Sequence, residues 1–336
     1  MNQRSIHTPI AASICMLVLI LDSPTTLSGA KSGIELCLQS VIPSLFPFFV
    51  LSILITSSIS SFPLPFLRPL ATFTGIPYGS EPILLTGLLG GYPVGAQSVR
   101  IAHKAGVLTD EEAARMVVFC NNAGPAFIFG ITASIFPSSG FAWLLWIIQL
   151  LSALLTGLLL PGKTDRNVIL PPSAQPSLTQ ALTSALRIMA TVCGWVVLFR
   201  VLLAFLQRWF FWMFPAWAQT LLTGLLELAN GCLSLVTLEH IGLRFLMCAG
   251  FLSFGGLCVW LQTLSVAGPI HMRLYLPKKL LQSAIAIMLA LFSQNLMPTD
   301  HRLEVPSAFY LLLVAIFVLF LCFRQKSSSI PAKAGV

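Results

Sequence analysis

Glu81–Ala102 reads EPILLTGLLGGYPVGAQSVRIA, as apolar as a membrane span yet interrupted midway by Gly90, Gly91, Pro93 and Gly95. Glycine accepts the backbone angles of a tight turn and proline breaks a helix. Tyr92 and Gln97 add hydrogen-bonding groups to the same turn. The segment fits a helical hairpin that dips into a bilayer and returns, with Gly91, Tyr92, Pro93, Gly95 and Gln97 at its tip. The alternative is a kinked helix whose glycines pack against a neighbour.

The composition supports a bilayer as the solvent. The chain carries 19 Lys and Arg and 11 Asp and Glu, 9% of its 336 residues, against about 25% in a soluble globular protein. Hydrophobic residues make up 56% and mean hydropathy is +0.88. Soluble enzymes, DNA-binding modules and disulfide-stapled secreted domains are excluded. Runs such as Phe141–Leu160 are continuous rather than alternating, which suits helices and not barrel strands. The net charge of +8 comes from Lys and Arg dispersed between spans, so nucleic acid is not an expected partner. The eight cysteines form no CxxC pair and read as packing residues.

Windows of about 20 residues place spans at Ile6–Leu21, Pro43–Ile59, Glu111–Phe136 and Phe141–Leu160. Another ends near Leu206, one covers Arg244–Ala267, and two follow the basic stretch His271–Lys279. Amphipathic stretches, Gly29–Ile42 and Ser177–Arg187, precede two of them. Thr8–Leu21 also resembles a signal-peptide core with a small-residue site at Pro24–Ala30; a retained span is the expectation, because the topology needs it. If Glu81–Ala102 and Gln219–Leu238 do not cross, fourteen Lys and Arg, Lys279 among them, collect on the interior against four outside. That bias puts both termini in the cytoplasm of a multi-pass plasma-membrane protein.

The two non-crossing segments share Leu-Thr-Gly-Leu-Leu, at Leu85–Leu89 and Leu222–Leu226. Each half runs amphipathic stretch, span, hairpin and interrupted helix, and the charge-derived topology gives the halves opposite sense, as in many secondary transporters. The expected fold is an all-α polytopic membrane protein with about eight transmembrane helices plus two re-entrant helical hairpins in inverted-topology repeats. Its divisions are an N-terminal transmembrane helix at 1–28, a first repeat at 29–160 and a cytoplasmic linker at 161–176. A second repeat at 177–296, a C-terminal transmembrane helix at 305–324 and a cytoplasmic tail at 325–336 complete it. The hairpins fall near 81–102 and 219–238, the broken helices near 111–136 and 244–267.

Asn121, Asn122, Gly124 and Pro125 lie about ten residues into their helix, hence about 15 Å deep. Carboxamides at that depth need partners, either a ligand or a neighbouring helix. The break also frees carbonyls for a cation and N–H groups for an anion. In the second half the polar candidates are Glu227, Asn230, Ser253 and Gln262, with Gly231, Gly255 and Gly256 at the turns. Glu227, an ionisable group inside the membrane, is the leading candidate for proton or Na⁺ coupling, with a structural hydrogen bond of its protonated form as the alternative; no other cofactor is implied. Arg200 either snorkels to the interface or meets an anionic substrate. No HExxH, P-loop or catalytic carboxylate pair occurs, so no enzymatic activity is expected. The expected partners are a small-molecule substrate and lipid, and a homo-oligomer is compatible with the sequence.

Gly90–Ala96, Phe119–Pro125 and Ser253–Gly256 together resemble the YlbJ-type sporulation integral membrane proteins, within the wider nucleoside-recognition gate-domain families. The resemblance extends over Gly33–Met288. It implies a fold similar to concentrative nucleoside transporters, and export of dipicolinate across a membrane around the developing spore, such as the outer forespore membrane. A nucleoside transporter and a non-transporting morphogenetic protein are the alternatives it leaves open.

Overall fold

The structure, a computed structural model, describes residues 4–57, 64–160, 162 and 176–294. Among these residues all regular structure is helical. The chain runs α1 (Arg4–Leu21), α2 (Ser23–Leu36), α3 (Ile42–Ser57), α4 (Arg68–Phe73), α5 (Glu81–Leu89), α6 (Val94–Lys104), α7 (Asp110–Phe119) and α8 (Pro125–Thr132). It continues through α9 (Ser139–Leu159), α10 (Leu178–Trp209), α11 (Ala216–Leu226), α12 (Leu228–Ser234), α13 (Ile241–Phe254), α14 (Gly256–Ala267) and α15 (Tyr275–Ser293). Among the described residues five helical segments are long and apolar enough to cross a membrane: Ser23–Ile55, Ser139–Leu159, Leu178–Trp209, Ile241–Ala267 and Tyr275–Ser293. Thr8–Leu21 is apolar but shorter. The expected C-terminal helix at 305–324, the tail at 325–336 and nearly all of the linker lie outside the described residues.

The two amphipathic stretches are not separate elements. Gly29–Ile42 continues without a break through a π-helical turn at Cys37–Val41 into α3, and Ser177–Arg187 is the capped first turns of α10. The reason is that α2 and α10 pack directly on each other. Gly29 and Gly33, one turn apart, bring the backbones so close that an added Cβ would lie 2.9 Å from the Cα of Val201 or Val197. Small residues at this spacing are a common route to close helix packing in membranes. The polar side of α2 is then used for pairing. Ser32 accepts from the Arg200 guanidinium at 2.9 Å, and Asp22 lies 3.3 Å from Arg208.

The element order recurs. In the first half the long α2–α3 rod is followed by the helix–turn–helix α5–α6, the interrupted pair α7–α8, and α9. In the second half α10 is followed by α11–α12, α13–α14 and α15. The packing exchanges between halves in the same way: α6 touches α14 as α12 touches α8, and α7 touches α15 as α13 touches α9. The shared Leu-Thr-Gly-Leu-Leu has a structural meaning here. A Cβ at Gly87 would overlap the Cys120 carbonyl, and one at Gly224 would overlap the Phe251 ring. Each glycine therefore makes room for the end of the interrupted helix in its own half.

If Gly33 seats α2 on α10, Gly33→Leu overpacks that seam and is expected to lower the thermal midpoint of the purified protein by roughly 5 °C. Gly194→Leu, at a position with open space around it, should leave the midpoint within about 1 °C. Equal midpoints for the two variants would refute this reading of the seam.

Candidate functional site

Two helix interruptions sit at the centre of the molecule, and the turns of both helix–turn–helix units reach them. After α7 the chain leaves helical geometry at Asn121–Gly124, and Pro125 starts α8 as its first residue, where its missing N–H costs nothing. Between α13 and α14 the break is made by Gly255 and Gly256, with φ of +85° and +82°, angles that a side chain would strain. The turn of the first unit, at Gly91, packs backbone to backbone on Gly124. The turn of the second unit, at Glu227, packs on Gly256. Tyr92, whose peptide bond to Pro93 is cis, crosses over to the second break. Its hydroxyl donates to the carbonyls of Leu252 (3.1 Å) and Ser253 (3.2 Å).

A cavity of about 40 Å³ lies where these pieces meet, room for roughly two or three waters. Tyr92, Gly124, Glu227, Val259 and Gln262 face it, and α10 closes one side with Val192 and Val196. Glu227 is 3% exposed and caps α12. Its carboxylate accepts the backbone N–H groups of Ala229 (3.1 Å) and Asn230 (2.7 Å), and the Asn230 side-chain amide at 2.5 Å. Gln262 donates to the Cys258 sulfur at 3.2 Å. Gly231 serves the same unit, because its Cα side abuts Gly224 and lets α12 fold back on α11.

The two asparagines of the first break turn their side chains away from this cavity into a buried polar network. Asn122 Oδ1 accepts from Gln149 of α9 (3.2 Å) and from Gln282 of α15 (2.8 Å), while its amide donates to the Phe119 carbonyl at 2.6 Å. Asn121 donates to Thr263 (2.9 Å) and Tyr275 (3.1 Å), and accepts from the backbone of Ala96 at 3.4 Å. Ser253 joins by donating to Gln149 at 2.8 Å. The network ends on Lys279, which is wholly buried. Its ammonium donates to Gln282 Oε1 (2.7 Å) and to the main-chain oxygens of Asn121 (3.0 Å) and Val118 (3.5 Å).

The residues singled out in the sequence thus fall into groups. Tyr92, Glu227 and Gln262 share the cavity, with Asn230 holding Glu227. Asn121, Asn122 and Ser253 belong to the polar network. Gln97 is half-buried on α6, and Arg200 is spent on Ser32 in the seam between α2 and α10. Lys279, an interior charge in the sequence count, is in the core instead, together with Gln149, Gln282, Thr263 and Tyr275. The missed signal is spacing. Tyr275, Lys279 and Gln282 recur at four and three residues along α15, and Gln149, Ser152 and Thr156 at three and four along α9. Polar residues at that spacing share one helix face.

Over 141 residues the chain is 31% identical to "Sporulation integral membrane protein YlbJ" of Bacillus subtilis (strain 168), a match covering 40% of this chain and 34% of that protein. No family profile matches the chain, and no solved structure does. The long apolar helices and this relative agree on an integral membrane protein.

If Asn122 is the acceptor that ties α9 to α15, Asn122→Leu orphans the amides of Gln149 and Gln282 together. Each stranded buried group costs about 1–3 kcal/mol, so a fall in thermal midpoint of roughly 5–10 °C is expected. A midpoint within about 1 °C of wild type would rule out that role.

Proposed function

We propose that this chain is a secondary membrane transporter of a small anionic or polar solute, and that the solute is dipicolinate, exported during sporulation. The observation that carries the proposal is the cavity at the meeting of both helix–turn–helix turns and the first helix break, faced by Tyr92, Glu227 and Gln262. Irregular backbone at membrane depth is tolerated where it is buried in protein or lines an aqueous path, and transporter sites are built this way. A membrane role in sporulation is supported by the relative's name.

In this proposal α5–α6 and α11–α12 are re-entrant. Helices of 9 and 11 residues in the first unit, and 11 and 7 in the second, reach about 10–17 Å each. None crosses a ~30 Å hydrocarbon core alone, and α5 packs back on α6 as α11 does on α12, so each unit enters and leaves by the same face. The two repeats then have opposite sense, about eight helices cross, and both termini are cytoplasmic. The two repeats are the divisions 29–160 and 177–296.

The cavity is too small for an aromatic dicarboxylate as it stands, so binding requires the two turns to separate. Glu227 sets the electrostatic condition. A carboxylate facing the cavity repels a dianion, unless a proton or Na⁺ neutralises it first. That ordering is what would couple solute to ion. Tyr92 and Gln262 supply a ring face and an amide for the solute.

Flux into proteoliposomes tests the proposal. Wild type should move dipicolinate, Glu227→Gln should lose at least about 10-fold of the ion-driven rate, and Gln262→Ala a smaller factor, as for a lost polar contact. Uridine and adenosine serve as competing solutes. Movement of nucleosides but not dipicolinate would replace the substrate, and no flux of either would sink the transporter reading in favour of a morphogenetic role.

A further inference from the structure

Lys279 lies in the second turn of α15, and the transporter reading above gives it no role. It is 0% exposed, and among the described residues no carboxylate pairs with it. Buried cations without a counter-charge are expensive in a membrane, so what surrounds this one is informative. Its ammonium is surrounded by oxygens: Gln282 Oε1 at 2.7 Å, the Asn121 carbonyl at 3.0 Å and the Val118 carbonyl at 3.5 Å. The Tyr92 ring adds its face, 5.1 Å from the nitrogen, an arrangement that favours a positive charge.

Two of those oxygens exist because α7 stops at Phe119. The last carbonyls of a helix lack intrahelical partners and carry the negative end of its dipole. Unwound carbonyls at such an end are the ligands with which transporters hold a dissociable alkali cation. The second break shows the contrast. There the freed carbonyls of Leu252 and Ser253 receive a hydroxyl, that of Tyr92, and among the described residues no Lys or Arg donates to them.

We infer that Lys279 is a tethered cation occupying the alkali-cation site that the first helix break creates, so that this break holds its charge without a dissociable ion. The ammonium is delivered by α15, which packs on α7 and α9. Lys278, the preceding residue, is only half-buried, so the register of α15 and not the basic pair as such selects Lys279 for the site. The consequence for transport rests on the transporter reading above: ion coupling is then left to Glu227 and the cavity, and the first break contributes a fixed charge.

The test vacates the site in the full-length protein and asks whether small cations refill it. Thermal midpoints of wild type, Lys279→Ala and Lys279→Gln are measured in choline chloride, then with added Na⁺, K⁺ or methylammonium. In choline, Lys279→Ala should melt roughly 5 °C below wild type, since three oxygens lose their donor. At least one of the small cations should restore most of that loss in a saturable way, a response absent from wild type. Lys279→Gln, which keeps a donor but no charge, should show a smaller loss and the same kind of response. Variants that melt low but ignore all three cations, or that melt like wild type in choline, overturn the inference. So does failure of both variants to yield folded protein in every salt, because a vacated cation site must accept a cation. Wild-type flux decides the transporter reading separately, so either idea can fail alone.

Discussion

A helix broken in the middle of a membrane protein leaves carbonyl and N–H groups that water cannot reach, and each unsatisfied one costs several kcal/mol. Most of this architecture can be derived from how those groups find partners. At the first break the Phe119 carbonyl takes the Asn122 amide, the Val118 and Asn121 carbonyls take Lys279, and Pro125 removes one donor altogether. At the second break Tyr92 arrives from the other half to satisfy Leu252 and Ser253. The break that must be satisfied fixes the position of the residue that satisfies it. That is why the turn of α5–α6 is held at the molecular centre.

The same requirement explains how two similar halves become one rigid core. Gln149 and Gln282, on the corresponding helices α9 and α15, converge on a single oxygen of Asn122. A carboxamide oxygen has two lone pairs, so both helices can be satisfied by it at once. Symmetry in the element order is thus joined to asymmetry in the polar chemistry: one break is held by a charge and amides, the other by a phenol. The cavity lies on the side of Tyr92 where Glu227 and Gln262 stand, and the network on the side where Lys279 stands. Tyr92 sets its ring against the Lys279 nitrogen and also faces the cavity.

Helical character and the position of the turns were legible in the sequence because they depend on local chemistry. Gly91 with Pro93, Gly124 with Pro125, and Gly255 with Gly256 are adjacent or near-adjacent pairs, and such clustering marks a turn where a lone Gly33 or Pro47 inside a helix does not. The polar partners were not legible from local chemistry. Whether Asn121 meets a solute or Thr263 depends on which helix lies opposite, a long-range fact. Lys279 closes the basic stretch His271–Lys279 in the sequence and so reads as an interfacial charge; the packing of α15 on α7 and α9 is what puts it in the core. The amphipathic stretch Gly29–Ile42 finds its place through the same long-range contacts: its Ser32 pairs with Arg200 on α10, as Thr25 and Asp22 just before it pair with Arg208.

These findings change what the charge count means. The fourteen-to-four bias treats every Lys and Arg as a group in water, yet several of the interior cations close helix ends. Arg100 donates to the Val266 carbonyl at 2.7 Å, near the end of α14. Arg115 donates to the carbonyls of Thr74, at 2.6 Å, and Gly75, just beyond α4. Lys279 does the same beyond α7. Carbonyl ends attract cations wherever a helix stops, so a protein with many broken helices recruits Lys and Arg for that purpose as well as for topology. Removing Lys279 from the count leaves thirteen against four, still a clear bias, because Arg100 and Arg115 remain at helix ends near the loops. The charge pattern therefore carries two messages, orientation in the loops and backbone satisfaction at the breaks. Only burial separates them.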